Sequence, residues 1–249
     1  MTKPQKRPNR PNHRAVNAKL TQGSKEWFTA RKGKLTASRI GKLMPGKRGS
    51  YSVKREQLMD EMFAELLGDD VGEKDVPYAL QRMFDWGNNN EDGARIAYMV
   101  ETGKLVREVG LWDHPNEDFP YCHMAASPDG ILVLEPVGLE IKCPWGTKNH
   151  DKLLELVEQG VPTEDPGYIP RISDDYRWQM FLQMECVEVD RVDFVSFDPR
   201  RPERERVIII PFQRDQLLID EMYDEAEIFL NQLHKRVQQR KEFRNGKAV

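Results

Sequence analysis

Between Tyr51 and Gly68, apolar side chains recur at Leu58, Met62, Phe63, Leu66 and Leu67. That is the spacing of one helical face, and Gly68 stands where such a helix ends. Upstream, Ser24 is placed to cap a short helix carrying Trp27 and Phe28. Gly33 closes it, and Thr36 opens a second helix with Ile40 and Leu43 on its buried side. The stretch "VPYALQRMFDWGNNNEDGARIAYMVETG" predicts one long helix, or two abutting at Gly87, ending at Gly103. Three strand candidates follow: "LVREVGLW", then "YCHMAASPDG" running into "ILVLE", then "GLEIKCPW". "DKLLELVEQG" and "SDDYRWQMFLQMECV" read as helices, and "RVDFVSFDP" and "RVIIIPF" as strands. A last helix from about Arg214 to Arg240 carries Leu217, Leu218, Met222, Ala226, Phe229, Leu233 and Val237 on one face. No internal repeat is found. Helices, a strand cluster, helices, two strands and a helix make an α/β sheet with helices on both sides.

One strand combines pattern with chemistry. In "GLEIKCPW" the apolar Leu139, Ile141 and Cys143 alternate with Glu140 and Lys142, so the two charges share one face. The preceding "SPDG" is a turn with Asp129 beside Gly130. A short connection containing Pro136 and Gly138 makes a hairpin-like unit that brings Asp129 towards Glu140. Two carboxylates on adjacent strands suit a hard divalent cation, leaving positions for water and a phosphate oxygen. A lysine beside the second carboxylate can orient or deprotonate the attacking water, or neutralise developing charge. Taken singly, each fragment has a plainer reading. D-G is a common turn dipeptide, and Glu-x-Lys is a common solvated pair on an edge strand.

Composition narrows the choice. The chain has 249 residues, with 39% hydrophobic and 32% charged, which is globular and large enough for a real core. No apolar run approaches the ~20 residues of a membrane span, and the N-terminus lacks the apolar core of a secretory signal. The expected location is therefore the cytoplasm. The three cysteines are widely spaced without a C-x-x-C pair, and the five histidines show no ligand spacing. Any bound metal is then held by carboxylates, which favours Mg²⁺ or Mn²⁺. The net charge of −3 is uneven. Lys3, Lys6, Arg7, Arg10, Arg14 and Lys19 face no acid up to Gln22, and the residues from His234 onward are also basic. Basic ends fit a polyanionic partner or a solubilising tail. Residues 1–22 read as a disordered basic arm and 23–249 as a single domain.

The words around Asp129, Glu140 and Lys142 go further. "EWFTARKGKLTAS", "WGNNNEDGARIAY", "SPDG", "LEIKCPW", "DYRWQMFLQM" and "FDPR" stand in the order found in the lambda-exonuclease/YqaJ-type viral recombinase family of the PD-(D/E)XK nuclease superfamily. The chain resembles that family from about Gly23 to its last helix. The resemblance implies a restriction-endonuclease-like central mixed β-sheet flanked by α-helices. It also implies a Mg²⁺-dependent (or Mn²⁺-dependent) 5′→3′ exonuclease on double-stranded DNA ends, leaving 3′ overhangs for phage-type recombination. Asp129 and Glu140 would be metal ligands, joined by the Ile141 carbonyl and by Glu91, and Lys142 would be the catalytic lysine. Gln179 would lie beside the active site. Arg31 and Ser38 would grip the terminal 5′-phosphate, consistent with a guanidinium fork and a helix first turn as anion partners. Arg48 would touch DNA from a loop. A ring-shaped homotrimer, a single-strand-annealing partner and a host-cytoplasm location are further implications.

Outside the resemblance these residues have ordinary readings: Glu91 as an i,i+4 partner of Arg95, Gln179 on an exposed helix face, Arg31 and Ser38 on the surface. Two features depart from the family pattern, the three asparagines before Glu91 and the long segment from Lys148 to Asp175, whose use as a lid or DNA contact is left open. The alternatives are another PD-(D/E)XK endonuclease or repair nuclease, or a non-catalytic DNA-end-binding scaffold.

Overall fold

The computed structural model describes residues 19–46, 49–68 and 77–246. Eight helices and eight strands are used below. Helix α1 (Lys25–Arg31) starts where the Ser24 hydroxyl accepts the Trp27 N–H at 3.2 Å. Strand β1 (Leu35–Thr36) follows Gly33, whose φ of +71° favours glycine. Helix α2 (Ala37–Ile40) is a single turn, shorter than the spacing suggested, and buries Ala37 and Ile40. Helix α3 (Val53–Leu67) buries Leu58, Met59 and Met62 and ends at a left-handed Gly68. Helix α4 (Tyr78–Thr102) runs unbroken through Gly87, which settles the choice between one helix and two.

The strand cluster differs most from the sequence pattern. "LVREVGLW" divides into β2 (Val106–Arg107) and β3 (Trp112–Asp113), and the next segment divides into β4 (Met124–Ala126) and β5 (Gly130–Leu132). These pieces belong to two sheets. One has the order β1-β4-β3. The other is β2-β5-β6-β7-β8, with β6 at Val137–Lys142, β7 at Arg191–Phe197 and β8 at Val207–Gln213. The β6–β7 pair is parallel and the other pairs of the larger sheet are antiparallel, so that sheet is mixed. Strand β6 lies in its middle, which removes the edge-strand reading of Glu140 and Lys142. Gly138, read as part of the connection, sits within β6.

The period of two then sorts β6 between two cores. Val137, Leu139 and Ile141 pack with Ala94 and Tyr98 of α4 and with Val195 and Phe197 of β7. Across the sheet, Val192, Phe194, Ile208 and Ile210 join α2, α3, α7 (Asp174–Val187) and α8 (Gln216–Arg244) in the main core. Helix α7 is buried nearly all round, as suits a helix between a sheet and other helices. On α8, Met222, Ala226, Phe229, Leu233 and Val237 are buried as the pattern indicated, but Leu217 is 82% exposed. The long segment after β6 forms α5 (Lys148–Glu158) and α6 (Tyr168–Ile172), whose Leu153, Tyr168 and Ile169 are fully buried in the main core. It is part of the body of the protein more than a free lid.

Candidate active site

Asp129 reaches the centre through the β5–β6 pairing. Gly130 pairs with Leu139, and one step further out the Asp129 N–H donates to the Leu139 carbonyl at 2.9 Å. Asp129 Oδ2 in turn accepts the Ile141 N–H at 2.6 Å. The glycine of "SPDG" has a local cause. A Cβ there would lie 2.4 Å from Val106 Cγ1 on β2, so only glycine lets β2 close on β5.

Glu140 is 1% exposed, and both of its oxygens accept hydrogen bonds. Its Oε1 accepts from Lys142 Nζ and, at 2.7 Å, from Gln179 Nε2, while its Oε2 accepts from Gln183 Nε2. Gln179 and Gln183 are one turn apart on α7, on the face that meets β6. Gln179 is therefore not on an exposed helix face. Gln183 was missed by sequence reasoning. Its signal was present as a second amide at i+4 within an apolar helix, a position that buries a polar group only against a partner. Lys142 Nζ also lies 5.3 Å from the centre of the Tyr176 ring.

Glu91 faces the same place from α4. With Asp129, Ile141 and Lys142 it lines a cavity of about 450 Å³, whose lining also includes Phe84, Trp145 and Tyr176. The plain pairing of Glu91 also exists: Arg95 Nη2 donates to its Oε1 at 2.8 Å, and Arg95 Nε reaches the Asp129 carbonyl at 3.3 Å. Arg95 thus ties α4 to the Asp129 turn.

Electrostatics mark the cluster as short of positive charge. Burial, then the neighbouring Glu140 and Glu91 carboxylates, push Asp129 well above the ordinary aspartate range, against the pull of Lys142. Glu91 is raised by burial and by Glu140, opposed by Arg95. Burial alone would lower Lys142, but Glu140 and Asp129 hold its ammonium above the usual lysine value. Cys143 is pushed up to about 12 by burial and by Glu91 and Asp129, so it offers a neutral thiol and not a thiolate ligand.

Among the described residues, no three acidic, histidine or cysteine side chains close around one point to cage an ion by themselves. An ion of the Mg²⁺ type needs less: one or two carboxylates, with water and substrate oxygens completing the shell. The Asp129 and Glu91 carboxylates, raised by burial and then by neighbouring acid, fit such a cation.

Arg31 and Ser38 come together as well. Arg31 Nη2 donates to Ser38 Oγ at 3.0 Å, and its guanidinium lies 4.0 Å from the Trp27 ring centre. Burial, with Arg39 nearby, lowers the Arg31 guanidinium to about 10. Glu65 opposes the shift, and the group remains a cation at neutral pH. With α2 only one turn long, Ser38 contributes its hydroxyl more than a helix terminus. Trp27, under Arg31, reaches the Asp129 turn, where its Nε1 donates to Ser127 Oγ at 3.0 Å; Gln22 Nε2, ahead of α1, donates to the Pro128 carbonyl of the same turn at 2.9 Å. Arg48 lies outside the described residues, as do residues 1–18 of the basic arm.

A model of the YqaJ-like viral recombinase domain matches residues 26–190. Among solved structures, the chain is similar to an alkaline exonuclease (LHK-Exo) from Laribacter hongkongensis, at 33% identity and a TM-score of 0.70, over 90% of this chain and 100% of that one. LHK-Exo in complex with dAMP aligns at 34% identity with the same TM-score and coverage. A phage related exonuclease from Haemophilus somnus 129PT shares the fold at 18% identity and a TM-score of 0.58, over 84% of this chain and 96% of that one. No curated protein sequence matches.

Proposed function

The chain belongs to the YqaJ-like viral recombinase family, and from that premise we propose that it is a 5′→3′ exonuclease acting on the ends of linear double-stranded DNA. It degrades one strand and leaves the 3′ overhang that homologous recombination uses. The observation that carries this reading is the buried Glu140 carboxylate, gripped by Lys142, Gln179 and Gln183 beside Asp129, at a cavity that α4 completes with Glu91.

Hydrolysis adds water to the phosphorus between the first and second nucleotides and breaks its bond to the 3′-oxygen of the first. The released mononucleotide carries a 3′-hydroxyl, and the shortened strand begins with a new 5′-phosphate. In this reading Arg31 and Ser38 bind the terminal phosphate, and every turn of the reaction regenerates their ligand. Trp27 and Gln22 keep that pocket in register with the Asp129 turn. Lys142, held as an ammonium, offsets negative charge gathering on the phosphate. Gln179 and Gln183 fix the rotamer of Glu140. Nucleases of this family use a divalent metal, here Mg²⁺ with Mn²⁺ as substitute. Asp129, Glu140, the Ile141 carbonyl and Glu91 would hold it, and when bound it supplies Lewis acidity and an activated water. The contacts to DNA are mainly to phosphate, so cutting is largely independent of sequence and binding is weakened by salt. Arg48 adds a further DNA contact. The protein works in the cytoplasm, as a homotrimer and alongside a single-strand-annealing protein; among the described residues no helix is long and apolar enough to cross a membrane.

Incubating linear and covalently closed circular duplex with Mg²⁺ or with EDTA tests the reading. Mononucleotide release from the linear form alone, only with Mg²⁺, and none with Lys142→Ala is the expected result. Equal cutting of closed circles would make the protein an endonuclease.

A further inference from the structure

Beyond the residues that line the cavity, the "FDPR" segment ends in an arginine with an unusual set of partners. Four of the five N–H groups of Arg200 are committed to its own chain. Nε and Nη2 bind the two oxygens of Asp198 at 2.7 and 2.8 Å, Nη1 binds the Trp145 carbonyl at 3.0 Å, and Nη2 also binds the Pro144 carbonyl at 3.2 Å. The flat of the guanidinium lies 4.7 Å from the Trp86 ring centre, and Trp86 meets Trp145 edge-on at 5.7 Å. Asp198 is itself fully buried.

These partners come from three elements that converge on the cavity. Asp198 follows β7. Pro144 and Trp145 follow Lys142 where β6 leaves the sheet, so their carbonyls have passed beyond the β6–β7 pairing, which ends at Lys142 and Ser196. Trp86 lies on α4 ahead of Glu91, and its carbonyl accepts from Asn90 Nδ2 at 2.7 Å. One planar cation thus joins the turn after Lys142, the helix bearing Glu91 and the end of the neighbouring parallel strand. Lysine cannot do the same, because its single ammonium has neither the fork nor the flat face.

We propose that Arg200 is a positioning residue for the hydrolytic site: through Pro144, Trp145 and Trp86 it sets the distance between the Lys142 end of β6 and the Glu91 face of α4. The proposal rests on the exonuclease reading. It does not make Arg200 a DNA contact, since four of its five N–H groups are already committed within the chain.

The test compares wild type with Arg200→Lys, Arg200→Ala and the milder Trp86→Phe, all first shown to be folded by thermal unfolding. On 5′-phosphorylated duplex ends, kcat falls on the order of tenfold or more in both Arg200 variants, while KM moves less than about twofold because no substrate contact is lost. Trp86→Phe, which keeps the hydrogen bonds, loses less than either. Acrylamide quenching of tryptophan emission, which needs no activity, increases in both Arg200 variants, and the increase disappears when Trp145→Phe is added. Raised KM at constant kcat would overturn the proposal by showing a DNA-binding arginine. Unchanged kcat with unchanged quenching would overturn it by showing an idle surface pair. Rescue of kcat by lysine would also overturn it. If wild type releases nothing from DNA, the exonuclease reading fails, and quenching still decides whether Arg200 holds the turn.

Discussion

Asp129, Glu140 and Lys142 were legible as a group because a turn dipeptide and a period-two strand are local signals. The fold brings Asp129 and Lys142 to the lining of one cavity and sets Glu140 against Lys142. Gln183 was not legible as a site residue, because an amide flanked by Met180, Phe181, Leu182 and Met184 reads as core until its partner across the sheet is known. It now carries a clear expectation. Gln183→Leu removes the donor from a buried carboxylate oxygen and costs about 1–3 kcal/mol of stability, read by urea unfolding, together with a loss of nuclease rate. A variant as stable and as active as wild type would show that Glu140 Oε2 finds another donor. Arg31 offers a second test at this scale. Arg31→Ala reduces digestion of 5′-phosphorylated ends more than of 5′-hydroxyl ends, and an equal loss on both would remove the terminal-phosphate role.

At the scale of elements, the helices were the readable part. Their apolar faces and terminal glycines are set by sequence neighbours, as at Gly68 and Gly103. The strands were less so, because pairing partners lie far apart in the chain. "LVREVGLW" looks continuous, yet Val106 pairs in one sheet and Trp112 in the other. The Val106 contact makes a sharp expectation: Gly130→Ala destabilises by about 1–3 kcal/mol through overpacking, and adding Val106→Ala recovers much of it in a double-mutant cycle. No recovery would place the cause in the backbone. The junction of α3 with α1 and β1 yields a pH dependence. Burial would raise Glu65, but the Arg39 fork, at 2.6 and 2.9 Å, and the Gly33 N–H, at 2.8 Å, hold it below its ordinary 4.5. A depressed carboxylate stabilises the fold above its unfolded pKa and loses that contribution as the pH falls through the folded one. Glu65→Gln is therefore less stable than wild type at neutral pH, and the gap narrows as the pH drops below 4.5. A constant gap from neutral pH into acid would contradict the pairing.

Over the whole molecule, a sheet with helices on both sides was readable from element order, and the family, with the mixed sheet it implies, from six motif blocks. The division into two sheets, the central place of β6 and the anchoring of the Asp129 turn by Gln22 and Trp27 were not, because each depends on contacts distant in sequence. Together they tie Trp27, on which Arg31 stacks, to the turn that carries Asp129, and the proposed directionality depends on that link. The most direct measurement is digestion of linear duplex DNA labelled separately at its 5′ and 3′ ends, with Mg²⁺, comparing wild type and Lys142→Ala. The account expects early loss of the 5′ label with the 3′ label retained, and neither lost in the variant; loss of the 3′ label first would contradict it.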